Sequence, residues 1–262
     1  MSRLEDTFER VRAQRRGGLV TYVTAGDPDR ATSARILVSI ARAGADVLEV
    51  GVPFSDPLAD GPVIQRASER ALSAGMTLRG AIDLVRDVRR EIDTPIVLFT
   101  YANPVVRMDP GTFARSARDA GVDGVLILDY PVEEAEPLRT PLVDAGLDPI
   151  FLISPTTTEE RIRRSSELGR GFLYVISRLG VTGARDQMAP ETGDLLDRVR
   201  RLSRLPVAVG FGISRPEHVA DACRHADAAV VGSALVNVIA EHEGNGVAER
   251  AGEYVRWLKS AL

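Results

Sequence analysis

The chain of 262 residues fits one large α/β barrel or two small domains. Its apolar content of 44% supports a sizeable core, and a formal net charge of -4 with acids and bases interspersed leaves neither a basic stripe for nucleic acid nor a polybasic membrane anchor. A single cysteine, Cys223, excludes an internal disulfide framework and a Cys-rich metal site, so we expect a soluble cytoplasmic protein.

In chain order, the opening MSRLEDTFERVRAQRRGG reads as a charged helix rather than a signal peptide. Short apolar or β-branched runs follow, each succeeded by an amphipathic segment. Strands are predicted at Leu19–Thr24, Asp46–Val50, Ile96–Thr100, Val122–Leu128, Pro149–Ile153, Phe172–Ile176, Pro206–Gly210 and Ala228–Val231. Helical patterns lie between them at Ala31–Ala43, Leu78–Glu91, Thr112–Ala120, Glu133–Ala145, Glu159–Leu168, Thr192–Ser203 and Pro216–Arg224. Several end in Ala-Gly, which suits a left-handed helix cap. The second repeat is about twice as long as the others and leaves room for an extra helix near Val63–Leu72. Eight strand–helix units without a linker predict one (β/α)8 TIM barrel domain over residues 1–262, with an extra N-terminal helix and an extra helix after strand two. An open doubly wound sheet is the alternative, but no G-x-G-x-x-G follows the first strand.

In a barrel, alternate strand residues face inward and chemistry sits where the strands end. Glu49 is the penultimate residue of predicted strand two, inside LEVGVPFSDPLADGP. Burying a carboxylate without a partner is costly, and burial favours its protonated form, so Glu49 reads as a candidate proton donor. Asp60 follows in a loop stiffened by Pro53, Pro57 and Pro62 and offers a second carboxylate near the same mouth; its Asp-Gly pair is also an ordinary turn. Tyr174 shares the inward parity of strand six. The segments Gly180–Gly183, Gly210–Ser214 and Gly232–Ala234 follow strands six, seven and eight, where barrels often bind a phosphate through backbone amides.

Other chemistries lack their residues. Lys259 is the only lysine and falls in the last helix, far from any strand end, which argues against a Schiff-base aldolase. His218, His225 and His242 fall in or beside helices and read as surface residues, and no strand ends in histidine. Proton transfer by carboxylates remains, with the substrate supplying its own electron sink.

The segments TAGDP, LEVGVPFSDPLADGPVIQRA, Tyr101-Ala102-Asn103-Pro104, SPTT, GFLYVISRLGVTGAR, VGFGIS and GSA together resemble the tryptophan synthase alpha chain family, in the expected order over nearly the whole chain. The resemblance implies cleavage of indole-3-glycerol phosphate to indole and glyceraldehyde 3-phosphate. It implies Glu49 and Asp60 as catalytic carboxylates, with Tyr174 positioning the substrate. Gly183, Gly212, Gly232 and Ser233 would bind the phosphate, Tyr22, Phe99, Leu126 and Ile153 would shape the indole pocket, and Thr182 would lie in a closing loop that meets Asp60. It also implies a beta chain as partner in an alpha2beta2 assembly, contacted by the loop Pro53–Asp60. No cofactor is expected in this chain, pyridoxal phosphate belonging to the beta partner. A stand-alone indole-3-glycerol phosphate lyase, another phosphate-sugar barrel enzyme and a non-catalytic phosphate-binding scaffold are the competing readings.

Overall fold

The computed structural model describes the whole chain except residues 1, 177–189, 211, 243 and 245. Its centre is a closed barrel of eight parallel strands in sequential order. The strands are β1 (Gly18–Thr24), β2 (Val47–Gly51), β3 (Ile96–Thr100), β4 (Gly124–Ile127), β5 (Asp148–Ile153), β6 (Leu173–Ile176), β7 (Val207–Gly210) and β8 (Ala228–Val231). Pairing of Gly18 with Ala228 through Thr21 with Val231 closes the barrel. Closure leaves no exposed sheet edge.

The helices begin with α1 (Arg3–Ala13), α2 (Arg30–Arg42), α3 (Pro62–Ser73) and α4 (Leu78–Val88). They continue with α5 (Ala102–Met108), α6 (Pro110–Ala120), α7 (Glu136–Asp144) and α8 (Glu159–Leu168). The last four are α9 (Pro190–Leu202), α10 (Pro216–His225), α11 (Ser233–Glu241) and α12 (Val247–Lys259). The extra helices expected at the N-terminus and after strand two are α1 and α3. Local chemistry sets their starts. Ser2 and Glu5 form a reciprocal capping box on α1, while Asp29, Thr77 and Thr158 each accept an amide hydrogen bond in the first turn of their helix. The stretch predicted as one helix over Glu133–Ala145 is instead a 3-10 turn, Val132–Glu134, followed by α7. Pro137 is suited to a first helical turn, so the helix restarts there. The short α5 and the apolar α11 carried no helical pattern clear enough to predict.

Side chains alternate between two cores. Val20, Val47, Val97, Leu126, Ile150, Phe172, Ala208, Ala228 and Val230 fill the barrel interior. Leu19, Leu48, Val50, Leu98, Val125, Val175 and Val209 pack outward under the helices. The amphipathic α1 sends Leu4 and Phe8 into the inner core, with Phe8 and Phe172 ring centroids 5.4 Å apart. This helix therefore plugs the end of the barrel where the strands begin, and chemistry is left to the opposite mouth.

Candidate active site at the C-terminal mouth

Register places the predicted residues on common levels. Tyr22 pairs with Glu49, Gly51 with Phe99, and Phe99 with Leu126. Leu152 pairs with Tyr174, and Tyr174 with Ala208. Tyr22 and Phe99 meet edge to face at 5.4 Å, and Phe99 lies 6.2 Å from Tyr174. Glu49, Tyr22, Phe99, Leu126 and Tyr174 thus face the barrel interior together, Glu49 and Tyr174 as expected from strand parity and Phe99 and Leu126 as the resemblance implies. Leu126 lies deepest, fully buried in the inner core.

Ile153 departs from expectation. It packs in the outer core between strand and helices, not toward the mouth. Ile150 faces inward, so parity turns Leu152 inward and Ile153 outward. Counting from Ile150 was enough to find this, and Leu152 takes the pocket position.

Glu49 is fully buried, and neither carboxylate oxygen has a hydrogen-bond partner among the described residues. Burial in this apolar, aromatic cage pushes its pKa up to about 8. The group therefore holds its proton at neutral pH without any structural ion pair to explain its presence. Burial also raises the Tyr22 and Tyr174 hydroxyls, and the charges of Glu49 and Asp60 add to both shifts. The two carboxylates thus share one electrostatic neighbourhood.

Asp60 arrives from the loop after β2. Burial pushes its pKa up to about 6, with a hydrogen bond from Tyr101 opposing the rise. The Tyr101 hydroxyl donates to Asp60 Oδ2 at 3.0 Å and accepts from the Ala59 amide at 3.1 Å. Phe54 packs against the Tyr101 ring at 5.0 Å. The Gln65 amide group, in the first turns of α3, donates to the Asp60 carbonyl at 2.9 Å. Prolines stiffen this loop, but Tyr101 and Gln65 fix where it sits. Sequence reasoning noticed Tyr101 only as part of a motif. Its position directly after β3, beside the end of β2, was the available signal.

The TAGDP turn also has a mechanical role. Asp27 is almost fully buried and accepts two hydrogen bonds from Arg70 of α3, at 2.7 and 2.8 Å. This bidentate pair ties the loop after β1 to the helix that follows the Asp60 loop.

The predicted anion groups Gly212, Gly232 and Ser233 stand at neighbouring strand ends. Gly212 has φ +82°, a left-handed conformation that glycine adopts without strain. Gly232 is the N-cap of α11 and Ser233 its first residue, and no side chain caps that helix. Its first amides and positive dipole end are available to an anion. Thr182 and Gly183 lie outside the described residues.

One expectation about non-site residues needs revision. His218 is buried rather than on the surface, with Nδ1 accepting from the Ser214 amide at 3.4 Å; His225 and His242 are exposed. Lys259 pairs with Asp46 at the start of β2, on the face opposite the carboxylates and away from the strand ends. No group of three or more candidate metal ligands occurs among the described residues, and no described helix is long and apolar enough to cross a membrane.

The model of the family described as tryptophan synthase alpha chain matches residues 8–261. The tryptophan synthase alpha chain of Burkholderia thailandensis is 46% identical, covering 100% of this chain and 97% of its own length. That of Geotalea uraniireducens is 45% identical, with 100% and 98% covered. Among solved structures, tryptophan synthase subunit alpha from Legionella pneumophila superposes with a TM-score of 0.90 at 36% identity, covering 100% of this chain and 98% of that one. A chain of Mycobacterium tuberculosis tryptophan synthase gives a TM-score of 0.92 at 36% identity, with 99% and 98% covered. The sequence and the closed barrel agree with these matches, and the chain belongs to the tryptophan synthase alpha chain family.

Proposed function

We propose that Glu49 and Asp60 divide the proton chemistry of the family's reaction, the retro-aldol cleavage of indole-3-glycerol phosphate to indole and glyceraldehyde 3-phosphate. The observation that carries this is the buried, unpartnered Glu49, protonated at neutral pH, in the same neighbourhood as a largely ionised Asp60. Environments that push two carboxylates apart in pKa assign an acid and a base.

Protonated Glu49 donates to indole C3, which leaves a positive charge on the ring nitrogen. Ionised Asp60 accepts the indole N–H hydrogen bond and stabilises that charge. The Glu49 carboxylate then takes the proton of the hydroxyl on the adjacent side-chain carbon. As that carbon becomes the aldehyde, the C–C bond breaks and its electron pair returns to the ring. Indole and glyceraldehyde 3-phosphate leave, and Glu49 is again protonated. The protonated indole is the electron sink, so no lysine adduct is required of this chain. Tyr22, Phe99, Leu126 and Leu152 enclose the bicyclic ring, Tyr174 positions it, and Gly212, Gly232 and Ser233 hold the phosphate with Gly183.

The chain functions with a beta chain, in an alpha2beta2 assembly, and passes indole to it for L-tryptophan synthesis. Pyridoxal phosphate belongs to that partner. Leu58 is 95% exposed at the tip of the Pro53–Asp60 loop and Val106 is 56% exposed on α5. A groove of about 620 Å³ is lined by Leu58 with Phe54, Pro57, Gln65 and Leu72. Exposed apolar groups beside a groove suit a protein partner. Indole release from indole-3-glycerol phosphate, followed with and without a beta chain, tests the reading. Turnover that rises with the beta chain and disappears in Glu49→Gln supports it. No indole release by the wild-type chain, or near-native release by Glu49→Gln, overturns it.

A further inference from the structure

The glycine loop after β7 is held from two directions by residues outside the mouth. Tyr254, in α12, donates its hydroxyl to the Ser214 carbonyl at 2.7 Å. His218, buried in the first turns of α10, accepts the Ser214 amide through Nδ1 at 3.4 Å, a long bond. The peptide planes on both sides of Ser214 are therefore fixed. Ile213 beside it is buried in the outer core. Among the described residues of this stretch, Gly212 has a positive φ.

The anchor points are themselves rigid. α12 buries Ala251, Val255 and Leu258 against the body of the barrel. Gly252 sits so close to Ser39 of α2 that an added Cβ would lie 2.4 Å from its Oγ. The Tyr254 ring packs on Trp257 at 5.7 Å, and burial pushes its hydroxyl pKa up to about 12, so it stays a donor. His218 must carry its proton on Nε2 for Nδ1 to accept.

We propose that Tyr254 and His218 are positioning residues for phosphate binding, clasping Ser214 so that the glycine loop keeps the backbone shape that receives the phosphomonoester end of the substrate. This rests on the assignment of Gly212, Gly232 and Ser233 to the phosphate. Neither side chain touches substrate. Their effect falls on binding of the phosphate end and leaves the carboxylate chemistry alone. Amide donors act on an anion only when pre-aligned, and a loop released from its clasp must be ordered again at each binding event.

The test compares Tyr254→Phe, His218→Leu and His218→Asn with the wild type. Readouts are kcat and KM for indole-3-glycerol phosphate, and the Kd of glycerol 3-phosphate as a probe. We expect Tyr254→Phe and His218→Leu to raise KM and the probe Kd about five- to tenfold, with kcat within twofold. Asn presents Oδ1 near the position of Nδ1, so His218→Asn should return both constants toward wild type. Tyr254→Phe is nearly isosteric at a half-buried site and folds, so its result decides even if His218→Leu does not fold. Wild-type probe affinity in Tyr254→Phe, or a fall in kcat at unchanged KM, overturns the clasp. Gly232→Val separates the underlying assignment. If it binds the probe as the wild type does, the phosphate site itself is misplaced and the clasp falls with it; if only Gly232→Val weakens binding, the site stands and the clasp alone is overturned.

Discussion

The two carboxylates proposed for the chemistry and the aspartates where the strands begin are held differently, while Asp27 beside the mouth is itself paired with Arg70. Where the strands begin, each of four aspartates has at least one donor. Asp46 receives Arg16 at 2.8 and 3.0 Å, Lys259, and the Leu19 amide at 2.8 Å, and these partners hold its pKa below the usual range against the effect of burial. Asp123 receives Arg3, Arg89 and the Ile96 amide. Asp227 receives the Val207 amide, and Asp148 receives the Ser2 hydroxyl. In three of these cases an aspartate ahead of one strand accepts the amide that starts a neighbouring strand, a repeated stitch that fixes register and seats α1. At the mouth, among the described residues, Glu49 has no hydrogen-bond partner and the Asp60 carboxylate has a single phenol. Unpaired burial costs stability: the folded state keeps the Glu49 proton up to about 8, whereas an ordinary glutamate releases it near 4.5, so folding weakens as pH rises through that window. A carboxylate left in that condition is there for chemistry; a carboxylate wrapped in donors is there for the fold.

Substitutions at the two ends should separate these roles. Glu49→Gln keeps the shape and removes the proton that is passed to and fro; turnover should fall by roughly 10³ or more, measured by indole release, with the phosphate-end affinity retained. At the other end, Asp123→Ala strips Arg89 and the Ile96 amide of a shared acceptor. It should cost about 3 kcal/mol in denaturant unfolding while kcat stays near wild type. A loss of activity in the folded Asp123→Ala protein would erase the contrast. Asp60→Asn removes the charge proposed to stabilise the indole nitrogen, and a drop in kcat of about 10² is expected, seen in single-turnover assays.

The pH dependence sharpens the comparison further. In the proposed mechanism Asp60 acts ionised and Glu49 protonated, so kcat/KM should rise as pH passes about 6 and fall beyond about 8. A profile flat from pH 5 to 9 would remove both from the rate. The smallest effect is expected for Tyr101→Phe. Losing the phenol leaves Asp60 in place through Gln65 but less oriented, a decrease of about tenfold or less in kcat/KM, with the acidic limb displaced upward because the lost hydrogen bond had favoured the ionised form.

Much of this organisation was readable in the chain. Eight strands alternating with helices, and a glutamate one residue from the end of the second, define the barrel and point its acid at the mouth. Parity pointed Tyr174 inward with Glu49 because side-chain direction on a strand has a period of two, while Phe99 and Leu126 came from the resemblance alone. The same rule, applied from Ile150, would have chosen Leu152 over Ile153. What was not legible depends on contacts between segments far apart in sequence. Tyr101 reaches Asp60 across 41 residues and Tyr254 reaches Ser214 across 40. The burial of His218 depends on what packs over α10, which its own helical period does not reveal. The short α5 owes its existence to an acceptor elsewhere, since Asp129 receives the amide of its first residue, Ala102, at 2.7 Å.

Gly51 has a consequence for attempts to alter what the barrel accepts. A Cβ there would lie 2.0 Å from the Tyr22 hydroxyl, so the ring occupies the volume that any other residue would need. Engineering a roomier cavity for substituted indoles should therefore begin by shortening Tyr22. Even alanine at 51 would drive the phenol toward the proposed indole pocket, making the vacancy of a missing methyl group one of the walls that would set substrate size.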